Sequence, residues 1–537
     1  MIHEENYWHP NAGRRGAHSA TRGVGKQEKT TTYFDKTNMR RLLTIITLAV
    51  CTAAYAQKFN HYTTTEKAEW QQGKSLHMSK TAGTLPALTV KGDEQGHVFK
   101  AWGTCFNELD LDAISLLEEQ DRQEVMRRLF SPDGDLRFTR GRLTMNANDY
   151  SREWYSCDTV AGDFRLRYFN IEHDKKNVIR LIRMAQRYQP ALTFWMSPWS
   201  PPAWMKINND YPVVSSRYNK QPKEKDYLLY EGAEGQIDED EVKLAGVRKG
   251  QFPRQLAAQN YMIQDARYLQ AYADMFCKFI ELYAEENVPI DMVMYQNEAY
   301  SYTPYPGCAW TAEGTVRFNR DFLVPTLRKR HPEVKTYIGT FNTNRLDYVQ
   351  KIVDGLKGYV DGIGLQWEGR DNIKALRQRY PDIHFVSSES ECGNGSMDWR
   401  AGEHTFHLLC DYVGRGCDEY YIWNFILCDN GRSPWGWAQN ALIQVDSKTK
   451  KHRYTAEFYA VKHFSNLIPG GSRVTAYKSR EENNGVSVIA FMRPDGKRVV
   501  IAGNFTDSQR TATVKLGGKY LNIPTPPHSF NTCVETK

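Results

Sequence analysis

From Phe99 to Trp423 the chain repeats one rhythm: a short apolar run, a polar break, then an amphipathic stretch. The run 289–298 shows the unit plainly. Five of its first seven residues are apolar (Ile290, Met292, Val293, Met294, Tyr295), and it ends in the polar triplet Gln296, Asn297, Glu298. A short run bounded in this way predicts a buried strand that delivers side chains to a surface. Eight such strands are predicted: Phe99–Thr104, Leu136–Met145, Ala191–Ser197, Pro289–Tyr295, Val334–Thr340, Val360–Gln366, Ile383–Ser388 and Glu419–Trp423. Helical spacing falls between them, as at Asn177–Tyr188, Asp265–Glu285 and Glu403–Val413. In Asp265–Glu285 the residues Leu269, Tyr272, Met275, Phe276 and Phe279 recur on one face. Eight strands alternating with helices predict an α/β fold, a (β/α)8 TIM barrel.

The rhythm differs at both ends. Lys74–Ser79 and Ala87–Val90 are short and partly alternating. From Arg473 the chain reads as strands again: Arg473–Lys478, Val486–Met492, Arg498–Asn504 and Thr511–Leu516, with a turn at Pro494, Asp495 and Gly496. These predict a small β-sandwich over 471–537. Residues 57–95 are expected to complete it, making that domain discontinuous around a barrel over 96–470. The barrel carries a Lys/Glu/Asp-rich insertion over about 209–259 on its strand-to-helix side. Composition predicts a mobile acidic middle at 238–241.

Leu42–Ala56 follows Met39, Arg40 and Arg41 and closes on Ala54, Tyr55, Ala56. A basic start, an apolar core and small residues at the end predict a signal peptide over 39–56 and a secreted or periplasmic location. Residues 1–38 are polar and aperiodic, so translation is expected to begin at Met39, with 1–38 a disordered leader. Val50 before Cys51 makes a poor lipoprotein signal.

Composition adds limits. With 41% apolar and 25% charged residues the chain is globular. Its net charge of +7 forms no basic stripe, which argues against nucleic acid as a partner, and no stretch argues for stable membrane insertion. Ten cysteines are dispersed, without zinc spacing, so no metal or other cofactor is expected, and one or two disulfides are allowed. No G-x-S-x-G element or glycine-rich nucleotide loop is present.

In a barrel the C-terminal strand ends meet around one mouth. Here they deliver Arg142 and Asp149 (strand two), Ser197–Trp204 (three), Asn297 and Glu298 (four), Gln366 and Trp367 (six), Glu389 and Glu391 (seven), and Trp423 and Asn424 (eight). Carboxylates on strands four and seven, flanked by Trp and Asn, are the equipment of retaining glycoside hydrolysis, with an expected separation of about 5–5.5 Å. Asn297 would bond the sugar's 2-hydroxyl, and tryptophans would supply a flat floor. Alternation leaves Glu389 and Glu391 both open as the second acid.

With these residues in place the chain resembles glycoside hydrolase family 30, in its lysosomal glucosylceramidase-like branch. Ser197–Lys206 is similar to the family's S-P-W-(S/T)-x-P-x-W-(M/L)-K segment. Asn297 with Glu298 resembles its Asn-Glu-Pro, and Tyr305, Pro306, Cys308, Arg320–Phe322, Pro325–Leu327, Val445, Asp446 and His463–Pro469 follow in order. The resemblance implies a TIM barrel with an attached β-sandwich, Glu298 as acid/base and Glu389 as nucleophile. It also implies Asp149, Trp199, Asn297 and Trp423 around the first sugar, with Arg142 and Asn440 in support; Gln366 is expected at the substrate from its place at the end of strand six. The implied substrate is a β-linked glucan, oligosaccharide or glycolipid. β-Xylosidase or β-fucosidase activity, and a silent carbohydrate-binding protein, are the alternatives. Two departures stand out: Ala299 replaces the motif's proline, and Gln366–Glu368 replaces the usual His-Trp-Tyr.

Overall fold

The structure, a computed structural model, describes residues 57–225, 260–299, 301 and 303–536. The expected leader, the signal peptide and the acidic middle of the insertion lie outside the described residues.

Eight parallel strands close into a barrel. In chain order they are Ala101–Cys105, Arg140–Met145, Thr193–Pro198, Ile290–Met294, Lys335–Phe341, Gly362–Gln366, His384–Glu389 and Glu419–Ile422. The last pairs with the first, Glu419 opposite Ala101 and Ile422 opposite Thr104. The strands are largely buried on both faces, which is why most read as apolar runs, although Arg140–Met145 carries Arg140 and Arg142 and Ile290–Met294 carries Asp291. Their outward side chains, such as Phe194, Met196 and Val293, join the helices in one large core. Their inward side chains, Trp195, Met292, Met294, Tyr337, Val386 and Tyr421, fill the barrel. Inward glycines make room for them. A Cβ at Gly103 would lie 2.4 Å from the Tyr421 ring, and one at Gly364 would lie 2.4 Å from the Met294 sulfur.

The predicted helices form as Val178–Gln186, Ala266–Glu285 and Trp399–Arg415. Asp265 and Asp398 cap the latter two through side-chain oxygens on backbone amides.

The second layer is a pair of sheets. One runs Arg473–Lys478, Val486–Met492, Arg498–Asn504, Ser529–Thr536, Lys58–Thr65, Ala68–Gln72, with Leu76–His77 also on Lys58–Thr65. The other runs Lys519–Thr525, Arg510–Leu516, Leu88–Val90. Apolar side chains of both, among them Phe59, Leu88, Val488, Val514 and Ile523, share one core. The N-terminal strands thus belong to the C-terminal sandwich by direct pairing, eight residues deep between Lys58–Thr65 and Ser529–Thr536. A small sheet absent from the sequence reading, Ile426–Cys428, Ile443–Val445 and His452–Tyr454, follows the eighth barrel strand. It launches the loop 429–442 over the barrel mouth. The nine cysteines from Cys105 to Cys533 are all unpaired.

Candidate active site

A buried arginine organises the mouth. Arg142, on the second strand, is fully buried on top of the barrel filling, its guanidinium 4.7 Å from the Trp195 ring, 4.5 Å from Trp199 and 5.4 Å from Trp423. One terminal nitrogen donates to Glu389 at 2.6 Å and to the Ser388 carbonyl at 3.1 Å. The other donates to Asn297 at 2.8 Å and to Ser197 at 3.1 Å. A single cation therefore ties strands two, three, four and seven together.

Glu298 lies beyond the fourth strand. Its backbone is in the left-handed region, φ 45°, held there by an amide bond to the Thr340 hydroxyl at 3.0 Å. Thr340 in turn donates to Asn297 at 3.2 Å. The Glu298 carboxyl accepts from Ser301 at 2.8 Å and from Gln366 at 3.0 Å. Gln366 is oriented by the Ser388 hydroxyl on its amide oxygen, 2.9 Å.

Glu298 and Glu389 line one narrow cavity together with Asp149, Asn297 and Trp199. Burial raises both glutamates, and their like charges add to the rise at Glu389. The pair titrates as a unit. The guanidinium in contact with Glu389 favours the charge there, which leaves the proton to Glu298. Asp149 is pushed well above the usual carboxylate range, first by burial and then by both glutamates.

Four other residues expected near the sugar stand behind the cavity wall. Trp423 is stacked beneath Trp199, ring centroids 5.1 Å apart. Arg142 and Gln366 address the glutamates. Asn440 does not line the cavity: its oxygen accepts from the amides of Gly395 and Met397, at 2.8 and 3.3 Å, in the loop after strand seven. Its neighbour Gln439 lines the cavity instead, as do Tyr305, Trp367 and Trp437. The sequence held a trace of these, since Tyr305 lies in a recognised segment and Trp367 follows Gln366 directly.

Glu391 turns away. The seventh strand ends at Glu389, so the two-residue alternation no longer applies beyond it. Glu391 pairs with His404 at 2.9 Å and Arg370 at 3.5 Å, outside the cavity.

The described part of the insertion builds a wall. Val213 and Val214 donate backbone bonds to Thr303, and Gly307 donates to Tyr211. Trp435 reaches the Tyr211 hydroxyl at 3.3 Å, and Arg432 reaches Tyr218 at 3.0 Å. Lys206 staples this wall. Its buried ammonium donates to the carbonyls of Tyr211 (2.7 Å), Pro212 (3.1 Å) and Gly307 (2.7 Å). Burial lowers its pKa to about 8. A larger cavity, about 810 Å³, opens at the opposite end of the barrel, around the first residues of the strands. Its Arg140 is consumed by Asp291 and Glu419, and barrel chemistry belongs to the C-terminal end.

The glycosyl hydrolase family 30 TIM-barrel domain model matches residues 99–226 and 256–468, and the family's beta sandwich domain model matches 470–533. The chain belongs to glycosyl hydrolase family 30. As a family member it is a glycosidase that hydrolyses O-glycosyl bonds. The family 30 chain is 24% identical over 533 residues to the lysosomal acid glucosylceramidase of Mus musculus, covering 90% of this chain and 92% of that one. It is 20% identical over 476 residues to the endo-1,6-beta-D-glucanase neg1 of Aspergillus fumigatus, covering 83% and 87%. Its fold matches the crystal structure of SrfJ from Salmonella typhimurium with a TM-score of 0.72 at 20% identity, over 89% of this chain and all of that one.

Proposed function

We propose that the enzyme cleaves β-glucosides with retention of configuration, Glu389 acting as nucleophile and Glu298 as acid/base. The observation that supports this most is one cavity holding two glutamates with unlike partners: Arg142 on Glu389, neutral donors on Glu298. In the first step the Glu389 carboxylate bonds to the anomeric carbon, the bond to the leaving oxygen breaks, and the Glu298 proton goes to that oxygen. In the second, water attacks the anomeric carbon, gives its proton to Glu298 and releases Glu389. Trp199 would floor the sugar, Asn297 would take its 2-hydroxyl, and Asp149 would bond a ring hydroxyl.

Both a glucanase and a glucosylceramidase stand among the relatives. We favour a soluble β-linked glucan or oligosaccharide, on an enzyme exported by the signal peptide at 39–56. In support, the cavity wall joins aromatic rings to polar groups (Trp437 with Gln439, Tyr305 beside Asn297), and among the described residues no helix is long and apolar enough to cross a membrane.

The test combines a panel of β-linked glucans and glucosylceramide with a 2-fluoro-glucoside label. Glucan cleavage with the label on Glu389 is expected. A label on Glu391, or equal rates for wild type and Glu298→Gln, would overturn the assignment.

A further inference from the structure

The two steps ask opposite things of Glu298: a proton to give in the first, a vacant oxygen in the second. Its surroundings are not neutral between them. Both carboxyl oxygens receive donors, Ser301 on one and Gln366 on the other. Ser301 is itself constrained, because the Asn342 amide nitrogen donates to its oxygen at 2.6 Å. That same end of Asn342 also serves the Glu298 carboxyl, so with Glu298 ionised it is the nitrogen that faces them; an amide oxygen there would oppose the carboxylate. With its oxygen accepting from Asn342, the Ser301 hydroxyl hydrogen is left for Glu298. Asn342 and Ser301 are both buried, so water does not substitute for either bond.

We propose that Ser301, oriented by Asn342, is a positioning residue that favours the ionised, proton-accepting form of Glu298 and so speeds release of the sugar from Glu389. The inference rests on the acid/base reading of Glu298. Burial favours the protonated form needed for the first step, and the Ser301–Asn342 pair offsets it for the second. Neither group titrates, so the bias is constant with pH. The ionisable groups that also face Glu298 are Glu389, Asp149, Tyr305 and Arg142, and all of them remain in the variants below. This loop is also where the chain departs from the family motif: Ala299 stands in place of proline, and the turn it opens carries Ser301 back onto Glu298, with the Ser301 amide bonded to the Glu298 carbonyl at 2.9 Å.

The experiment uses Ser301→Ala, Ser301→Thr and Asn342→Ala in the full enzyme, with 2,4-dinitrophenyl β-D-glucoside. That leaving group needs no proton, so kcat reports the second step and kcat/KM the first. For Ser301→Ala, kcat should fall about 10- to 100-fold, as expected for a lost bond to a charged group. KM should fall in parallel, kcat/KM should stay within about twofold, and a stoichiometric burst of dinitrophenol should appear. On an unactivated glucoside the basic limb of kcat/KM should move to higher pH. Ser301→Thr should restore kcat, and Asn342→Ala should reproduce part of the loss. A uniform loss of kcat/KM without a burst would mean that Ser301 only supports the loop, and would overturn the proposal. Glu298→Ala with azide separates the two readings. If that variant keeps wild-type rates on unactivated substrate and azide does nothing, the acid/base reading itself fails.

Discussion

Replacing Arg142 by methionine probes the charge arrangement directly. The substitution keeps a flexible apolar side chain over the tryptophans and removes the guanidinium. Glu389 then loses the bond at 2.6 Å, and the neutral acceptors on the Ser388 carbonyl, Ser197 and Asn297 lose a charged donor. Breaking a buried pair from one side costs about 3–5 kcal/mol, and each stranded neutral acceptor costs about 1 kcal/mol more. Asn297 retains the Thr340 hydroxyl, which leaves the Ser388 carbonyl and Ser197 stranded, so a loss of about 5–7 kcal/mol is expected where Glu389 stays ionised. Glu389 escapes part of this by taking a proton. Its pKa, already raised by burial, rises further without the cation. A carboxyl raised in the folded state makes stability fall as pH rises through the window between its unfolded and folded pKa. Burial already holds wild-type Glu389 up at about 7, so near pH 5 both proteins carry it protonated and the deficit should be smaller, and it should widen above pH 7, to be read at pH 8.5, where only the wild type ionises. The assay is urea denaturation followed by tryptophan fluorescence at both pH values, together with a pH–rate profile. The acidic limb of kcat/KM should move to higher pH, since Glu389 ionises later. Arg142→Lys should fall between the two proteins, because a point charge cannot span both sides of the site. Equal deficits at the two pH values with an unmoved acidic limb would refute the argument that Arg142 sets the charge on Glu389.

Glu457 is buried, and burial outweighs the Thr405 and Asn440 bonds to push its pKa up to about 8. The folded state therefore binds more protons than the unfolded one between about pH 4.5 and 8, and stability falls across that window. Glu457→Gln should leave the thermal midpoint unchanged near pH 4.5 and raise it at pH 8. At Glu391 burial works to raise the carboxyl, but His404 and Arg370 outweigh it and hold it below the usual range. That contribution is present at neutral pH and is lost as pH falls through the lowered pKa. Glu391→Gln should thus lose about 1–3 kcal/mol at pH 7, converge with wild type toward pH 3, and keep kcat within a few-fold. Lys206→Met strands the Gly307 carbonyl, while Tyr211 keeps the Gly307 amide and Pro212 keeps Asn208; about 1–3 kcal/mol of stability should go, with KM rising more than kcat falls as the wall carrying Tyr211 and Gly307 loosens, which steady-state kinetics would show.

The barrel was legible because its strands are buried on both sides, so apolar runs marked all eight within a few residues of their ends. The sandwich was less so. Lys58–Thr65 carries His61, Thr63 and Thr64, and Ser529–Thr536 carries Asn531 and Thr532. Their inward polar groups are satisfied by one another and by His463, at sequence separations that no local pattern reveals. In the site, residues on strand ends could be read from position, while those on long loops could not. Gln439 and Asn440 differ by one place, and only the tertiary bonds of Asn440 to Gly395 and Met397 decide which of them faces the cavity. Glu391 could not be told from Glu389 because the end of a strand, and with it the end of alternation, is set by pairing rather than by residue type.

The pairing of Lys58–Thr65 with Ser529–Thr536 also sets a timetable. The inner strand of that sheet is made early, and its partner is made more than 460 residues later. At roughly 5–20 residues per second a ribosome takes about 25–90 s to supply it. Throughout that interval the barrel can assemble, but Lys58–Thr65 keeps an open hydrogen-bonding edge on a growing chain. Closing the sheet then requires Ser529–Thr536 to enter between Lys58–Thr65 and Arg498–Asn504. Nascent chains stalled before residue 529 should be the form that chaperones hold.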